Sequence, residues 1–180
     1  MTSQAESGKI PVGISRCLLG DRVRYDGGHK HDAFITGTLG MIFEFRPFCP
    51  ELEIGLGVPR APIQLVIDGD TTRCVGRQGP QLDVTDRLVQ CADEQQSWQG
   101  DICGYIFKQG SPSCGMAQVA VFLDGQPEYS GTGMYAGRVM HNFPDLPVTE
   151  ESRLGDPAER ENFIERVQSY RRRQQNPASV

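Results

Sequence analysis

The sequence predicts an α/β fold, a Rossmann-like three-layer arrangement with a mostly parallel sheet and a hairpin addition. Three observations lead to this prediction. Along the 180 residues, segments in which apolar residues alternate as in strands are followed by segments in which they have helical spacing. This order is typical of parallel sheets. The first strand, helix and strand together have the length of a parallel crossover unit. A pair of alternating segments around Gly69 and Asp70 indicates the hairpin.

The first part of the chain supplies the crossover unit. Residues 9–17, KIPVGISRC, alternate apolar and small side chains and are predicted to form a buried strand. Residues 18–31 are rich in glycine and aspartate, which indicates a loop. Residues 32–43 have helical spacing, and residues 44–49 form a second strand. Both strands end at a cysteine.

The middle of the chain predicts the hairpin, a helix and another strand. The hairpin covers residues 61–77. A helix over residues 83–98 has one apolar face, and Asp83 or Thr85 can cap its start. Residues 101–108, DICGYIFK, form a strand that leads into the turn SPSC.

The last part of the chain predicts a strand over residues 117–125 and two helices, over residues 133–143 and 156–173. The final helix has clear start signals, because Asp156 can cap it and Glu159 can complete a capping box. We expect a disordered tail over residues 1–8, the main domain over residues 9–150, and this helix with a frayed tail over residues 151–180.

The composition and charge of the chain restrict where the protein can be located and what it can bind. At 38% hydrophobic content the chain can bury one core, and its net charge of −5 argues against nucleic acid as a partner. No apolar run approaches about 18 residues, so no membrane span is expected. The start of the sequence has no apolar signal-peptide core, so we expect a cytoplasmic location.

Six cysteines in a reducing compartment are expected to be free thiols or metal ligands rather than disulfides. None belongs to a CxxC pair, which excludes the common zinc-ribbon and thioredoxin motifs. Any single cysteine is best explained as a small buried hydrophobe. That explanation suits the ones inside predicted helices and strands, which are Cys74, Cys91 and Cys103.

Cys17, Cys49 and Cys114 differ, because each borders a loop of Gly, Pro or Ser at a strand end. The carboxyl ends of parallel strands meet at the ligand-binding edge of a sheet. Thiolates gathered there repel one another unless a metal centre neutralises them. Four ligands close a zinc site or an electron-transfer cluster, whereas three leave one cluster iron open for a soft atom such as sulfur. His29 and His31 keep a Cys/His zinc site as an alternative.

Three longer motifs carry a family resemblance. They are SRCLLGDRVRYDGG at 15–28, CPELEIGLGVPRAPIQL at 49–65 and SPSCG at 111–115. In this order they resemble the DUF523 family, which includes the thiouracil desulfurases. The resemblance extends through most of residues 9–143.

The resemblance implies a [4Fe-4S] cluster held by Cys17, Cys49 and Cys114. It implies hydrolytic removal of sulfur from thiolated pyrimidines, bases or nucleosides of the 2-thiouracil and 4-thiouracil type, by sulfur transfer to the open iron and without net redox change. It also implies a catalytic acidic residue and a serine, which by position are Glu51 and Ser111. In this hypothesis Glu51 takes a proton from the attacking water, and Ser111 orients that water or donates to the developing anion.

Other residues of these motifs are candidates for substrate binding. Tyr25 could stack on a pyrimidine, Arg60 could bind a carbonyl or phosphate or pair with an acid, and Ser113 is the rival of Ser111. The full set is Arg24, Tyr25, Asp26, Gly27, Arg60 and Ser113.

Three other functions fit the sequence: a non-catalytic cluster- or zinc-binding protein closed by a fourth ligand, a sulfur transferase acting on nucleosides, and a metal-free enzyme with a cysteine nucleophile. The stretch LPVTEESRLGDPAERENFIERV also resembles the junction that precedes a second, DUF1722 domain in longer family members. We therefore expect the final helix to expose an apolar face toward such a domain.

Overall fold

The computed structural model describes residues 8–176. Of the predicted tails, residues 1–7 and residues 177–180 lie outside the described residues. In chain order the strands are β1 (Ile10–Ser15), β2 (Phe43–Phe48), β3 (Ile63–Asp68), β4 (Thr71–Gly76), β5 (Gly79–Asp83), β6 (Tyr105–Phe107), β7 (Val119–Leu123), β8 (Gln126–Gly131) and β9 (Val148–Glu150). The α-helices are α1 (Ala33–Gly37), α2 (Pro50–Glu53), α3 (Thr85–Glu94), α4 (Gln96–Gln99), α5 (Met134–Asn142) and α6 (Pro157–Gln175).

The strands form two sheets. The parallel sheet has the order β2-β1-β6-β9, and all its neighbours run in parallel. The mixed sheet has the order β5-β4-β3-β7-β8, in which β3 and β7 pair in parallel and the other neighbours pair antiparallel. The chain passes from the parallel sheet into the mixed sheet twice, between β2 and β3 and between β6 and β7.

Helices cover both faces of the parallel sheet, which makes three layers. On one face Val12 and Ile14 of β1 pack against side chains of α1 and α6. On the other face Tyr105 of β6 packs against side chains of α3 and α5. Gly13 makes room for that ring, because an added Cβ there would lie 2.7 Å from Cδ2 of Tyr105. The central strands β1 and β6 are therefore buried on both sides, as expected for a parallel sheet.

The predicted α/β fold with a mostly parallel sheet is confirmed. The crossover unit forms as predicted, with β1 and β2 parallel over their full length. The predicted hairpin is β3 and β4, whose turn is Gly69 and Asp70. The predicted helix over residues 133–143 is α5, and the final helix extends two residues further than predicted, to Gln175.

Several local predictions are wrong or incomplete. The helix predicted over residues 32–43 is the five-residue α1 followed by a 3-10 turn at Leu39–Met41, and two glycines weaken the helix in this segment. The hairpin is not an isolated addition, because β5, β7 and β8 extend it into a five-stranded sheet. The N-cap of α3 is Val84, and Asp83 instead accepts a hydrogen bond from the Thr85 N–H.

The final helix packs on the core of this chain. Phe163 and Val167 are fully buried, and Ile164 and Tyr170 pack partly buried against the same side chains. The expectation of an exposed apolar face on this helix is therefore wrong. Asp156 caps the helix as predicted by accepting from the N–H groups of Ala158 and Glu159, but its own N–H donates to the Arg153 carbonyl, so the capping box is not closed.

None of the helices in the part of the chain that the structure describes is long and apolar enough to cross a membrane.

The first turn of α5 packs against the loop that follows β6, and this contact predicts the effect of one substitution. A Cβ added at Gly133 would lie 2.6 Å from the Ser113 carbonyl carbon and 2.9 Å from the Cys114 nitrogen, both backbone atoms. We expect Gly133→Ala to lower the free energy of unfolding by about 1–3 kcal/mol. Urea denaturation measures this change. The matched control is Gly37→Ala, where a Cβ meets nothing within 4 Å, and a loss of stability there equal to that of Gly133→Ala would contradict the steric explanation.

Candidate active site at the carboxyl edge of the parallel sheet

A cavity of about 280 Å³ opens at the carboxyl ends of β1, β2 and β6. From β1 the chain moves to β2 on one side of the sheet and later to β6 on the other side. The strand order therefore reverses between β1 and β6, which is where open α/β sheets bind ligands. The fold thus places the cavity where its topology predicts a site.

Three cysteines line this cavity, as the sequence predicts. Cys17 lies in the 3-10 turn Arg16–Leu19 directly after β1, and Cys49 is the N-cap of α2 directly after β2. Cys114 lies in the loop that follows β6. Cys17 and Cys114 are buried and Cys49 is half-buried, and none of the three forms a disulfide.

Burial has the largest effect on the pKa values of these three thiols. It raises the pKa of Cys17, Cys49 and Cys114, and the neighbouring charges of Cys49 and Glu51 raise that of Cys114 further. Groups that favour the thiolate also surround them. Arg24 and Lys108 act on Cys17. A metal-free enzyme with a cysteine nucleophile needs a lowered pKa, so this site does not match that alternative.

Hydrogen bonds to two of the sulfurs also favour thiolate. The Leu52 N–H donates to Cys49, and the Ser15 hydroxyl donates to Cys114. The Ser113 oxygen lies 3.7 Å from the Cys114 sulfur. The sulfurs are thus prepared for a positively charged partner, which metal centres supply by displacing the thiol protons.

The arrangement of the donors does not match a site for a single metal ion. Among residues 8–176, no group of three His, Cys, Asp or Glu side chains is close enough to hold one metal ion. A zinc ion needs its sulfurs about 2.3 Å from one point, whereas a cluster binds each thiolate through a different iron. His29 and His31 do not line the cavity, and the His31 ring instead contacts the Thr36 hydroxyl at 3.0 Å. These observations argue against the closed Cys/His zinc site.

Glu51 lies beside the thiols and is held from two sides. One carboxylate oxygen accepts from Nε of Arg60 at 2.7 Å, and the other accepts from the hydroxyl of Ser113 at 2.7 Å. The side chains of Glu51 and Arg60 are 13% and 7% exposed, so water screens this ion pair little. Arg60 also donates to the Gly57 carbonyl. The carboxylate is therefore fixed in place while it still faces the cavity.

The two serines of the SPSC turn have distinguishable positions. Ser113 is 1% exposed and donates its proton to Glu51. Its oxygen lies 3.0 Å from that of Ser111, so Ser111 is the donor in this contact, because the Ser113 proton is already used. Ser111 in turn accepts from the Cys114 N–H at 3.0 Å. A directed chain thus runs from Ser111 through Ser113 to Glu51.

The predicted substrate-binding residues divide into two groups. Arg24, Tyr25, Arg60 and Ser113 line the cavity. Asp26 and Gly27 do not; they shape the turn that presents the first two. Asp26 accepts from the Gly28 N–H, which lowers the pKa of its carboxyl, and Gly27 has a φ of 79°, which favours glycine.

Sequence reasoning did not find several residues of the site. Lys30, Arg77 and Lys108 line the cavity. Glu150 and Glu151 contact the loop after β6. Lys30, Arg77 and Lys108 do not belong to a motif with a known spacing. The glutamates are at the end of the three-residue β9, which is too short to show periodicity.

Comparisons with known proteins identify the family of this chain. A family model described as 2-thiouracil desulfurase matches residues 12–151. The solved structure of a [4Fe-4S]-dependent thiouracil desulfidase, TudS, is similar to this chain, with 31% sequence identity and a TM-score of 0.61; the match covers 83% of this chain and 96% of that one. No curated protein matches the chain.

The family model spans all three strand-end cysteines, both serines and Glu51, and ends at Glu151. The resemblance stated on the three sequence motifs is thereby confirmed. The chain belongs to the 2-thiouracil desulfurase family and is a thiouracil desulfurase-like enzyme.

Proposed function

We propose that this enzyme removes sulfur hydrolytically from a thiolated pyrimidine, using a [4Fe-4S] cluster held by Cys17, Cys49 and Cys114. One observation carries the proposal: the three thiols and the Glu51–Arg60 pair line the same cavity. The reaction converts a C=S group and water into a C=O group and hydrogen sulfide, so it needs no oxidant or reductant. The similar structure of a [4Fe-4S]-dependent thiouracil desulfidase supports this cofactor and substrate class.

The cysteines supply three ligands, and neither His29 nor His31 reaches the cavity to supply a fourth. A cluster held by these three thiolates would supply Lewis-acid chemistry, which would make the carbon of a C=S group more electrophilic. The chain's own residues then hold the substrate and manage the protons.

Glu51 is the general base in this proposal. Its carboxylate accepts one proton from the water that attacks the C=S carbon and returns it to the departing sulfur, which leaves as hydrosulfide. The second proton of the water passes to solvent as the C=O group forms. Arg60 and Ser113 bind one oxygen each, which fixes the orientation of the carboxylate before substrate arrives. Such prior positioning avoids reorganisation during the reaction.

The serines have separate roles in this proposal. Ser113 is buried and holds Glu51, whereas Ser111 is half-buried and lies at the outer end of the hydrogen-bond chain. Ser111 can turn its hydroxyl toward the bound substrate and donate to the developing anion. This assignment separates two residues that the sequence alone leaves as rivals.

The rim of the cavity suits a pyrimidine with an anionic substituent. Tyr25 is 40% exposed at the mouth and offers a ring on which a base can stack. Arg24, Lys30 and Arg77 also line the cavity, and none of them has a carboxylate partner among the ion pairs of residues 8–176. In a chain of net charge −5 this excess of cations is local and favours a phosphate on the substrate.

Replacing the proposed base tests the mechanism. We expect Glu51→Gln to lower kcat for sulfide release from 2-thiouracil or 4-thiouridine by about 10²–10⁴-fold, the usual contribution of general-base catalysis. The iron content of anaerobically purified protein should stay that of the parent. Glu53→Gln is the control, because Glu53 lies in the same short helix but is exposed. Turnover of Glu51→Gln close to that of the parent would remove Glu51 from this role.

Removing single thiols tests the cofactor. We expect Cys17→Ala, Cys49→Ala and Cys114→Ala each to lose most of the iron, the brown colour and the desulfurase activity. Cys103→Ala should keep all three, because Cys103 is buried outside this cavity. Iron and sulfide analysis of anaerobic preparations gives the result. A parent protein that is active without iron would refute the cluster proposal.

The rim cations predict a preference among substrates. We expect the nucleoside monophosphate of 4-thiouracil to have a lower KM than the nucleoside, with the difference shrinking as salt is added. Arg77→Gln should raise KM for the nucleotide several-fold more than for the free base. The control is Arg22→Gln, an exposed arginine that does not line the cavity. Equal effects of Arg77→Gln on all three substrates would contradict a role in phosphate binding.

A further inference from the structure

The loop between β6 and β7 carries three of the site's functional groups, the hydroxyls of Ser111 and Ser113 and the thiol of Cys114. We call residues 108–117 the site loop. It contains no helix or strand. Something other than regular hydrogen bonding must therefore keep its side chains in place.

The centre of the site loop is held by the first turn of α5. The Met134 N–H donates to the Pro112 carbonyl, and the Ala136 N–H donates to the Ser113 carbonyl. These hydrogen bonds hold the centre of the site loop against α5. They leave its two ends to be fixed by other groups.

The first end of the site loop is bound by Glu151. One carboxylate oxygen pairs with Nζ of Lys108, and the other accepts from the Gln109 N–H at 2.8 Å. The Lys108 and Glu151 side chains are 17% and 14% exposed, so the pair is largely shielded from water. Lys108 is also fixed at its backbone, where its N–H donates to the Ser15 hydroxyl.

The second end of the site loop is bound by Glu150. This residue is 4% exposed, which is rare for a glutamate. One of its carboxylate oxygens accepts from the Met116 N–H at 2.9 Å and from the Ala117 N–H at 3.4 Å. Burial of a charge is unfavourable unless strong partners compensate, and here the partners are backbone groups of the site loop.

Glu150 and Glu151 can bind the two ends of the site loop because they are consecutive residues at the end of β9. Glu150 is the last residue of β9, and Glu151 begins the 3-10 turn that follows. Consecutive side chains at a strand end point to opposite sides, so one carboxylate reaches residues 116 and 117 while the other reaches residues 108 and 109. β9 itself is fixed by pairing with β6, from which the site loop begins.

We propose that Glu150 and Glu151 are positioning residues that clamp the two ends of the site loop, so that the Cys114 sulfur and the Ser113 hydroxyl keep their places beside Glu51. The clamp acts through hydrogen bonds to backbone groups, and neither glutamate lines the cavity. Its meaning for catalysis rests on the proposed function, but its effect on the site loop does not.

The test compares the variants Glu150→Ala, Glu151→Ala, Glu150→Gln and Glu151→Gln in anaerobically purified protein with its iron. Hydrogen exchange of individual backbone amides is the first measurement. We expect Glu150→Ala to speed exchange at Met116 and Ala117 at least tenfold, and Glu151→Ala to do the same at Gln109. Glutamine keeps a carbonyl acceptor of the same length, so Glu150→Gln should restore most of the protection.

Iron retention and kinetics are the second measurement. We expect both alanine variants to lose iron several-fold faster when exposed to a chelator, because the Cys114 sulfur is less fixed. With iron bound, kcat for sulfide release should fall at least tenfold with little change in KM, since the clamp does not touch the substrate.

The control for general destabilisation is Asp156→Ala, which removes the N-cap of α6 and contacts no part of the site loop. Should this variant show the same local exchange and iron loss, or should the alanine variants match the parent, the clamp is refuted. If Glu150→Ala does not fold, Glu151→Ala decides alone, because Glu151 is less buried. A parent that releases no sulfide would refute the proposed function, while exchange and iron loss would still decide the clamp.

Discussion

The repulsion that three thiolates in one cavity would exert on one another is the constraint on which this site depends. Cys17, Cys49 and Cys114 line one cavity, and burial alone raises the pKa of each thiol. Their charges also act on one another. All three can be deprotonated together only if positive charge enters the cavity. The nearby cations of Arg24, Arg60 and Lys108 supply part of it, and in our proposal a metal centre supplies the rest.

The same constraint explains why the carboxylate of Glu51 needs its partners. A further negative charge beside three thiolates would be pushed away from the cavity. The Arg60 guanidinium compensates this charge at 2.7 Å, and the buried Ser113 hydroxyl accounts for the second oxygen. The loop around Arg60 is therefore as much a part of the site as the cysteines, although it contributes no metal ligand.

Much of the site could be predicted from local sequence, and the reasons for the exceptions are physical. Strand alternation followed by a cysteine placed Cys17 and Cys49 at one edge of the sheet, because parallel strands share a carboxyl end. Asp26 and Gly27 belong to the same motif as residues that line the cavity, but they do not line it themselves. They form a turn instead, which requires the hydrogen bond of Asp26 and the positive φ of Gly27. Glu150 and Glu151 act on a loop more than thirty residues away in the chain, and local patterns contain no information at that range. The mixed sheet escaped prediction for a similar reason, since β5 and β8 are edge strands defined by their neighbours.

The packing of α6 has a consequence for where this protein can be divided. The family match ends at residue 151, yet Phe163 and Val167 beyond it are fully buried. Gly104 lies so close to this helix that a Cβ there would meet Val167 at 2.7 Å. A shorter piece trimmed to the recognisable family would uncover the hydrophobic face of β1 and β2. The segment that defines the family is therefore shorter than the packed unit, which includes the buried side chains of the last helix.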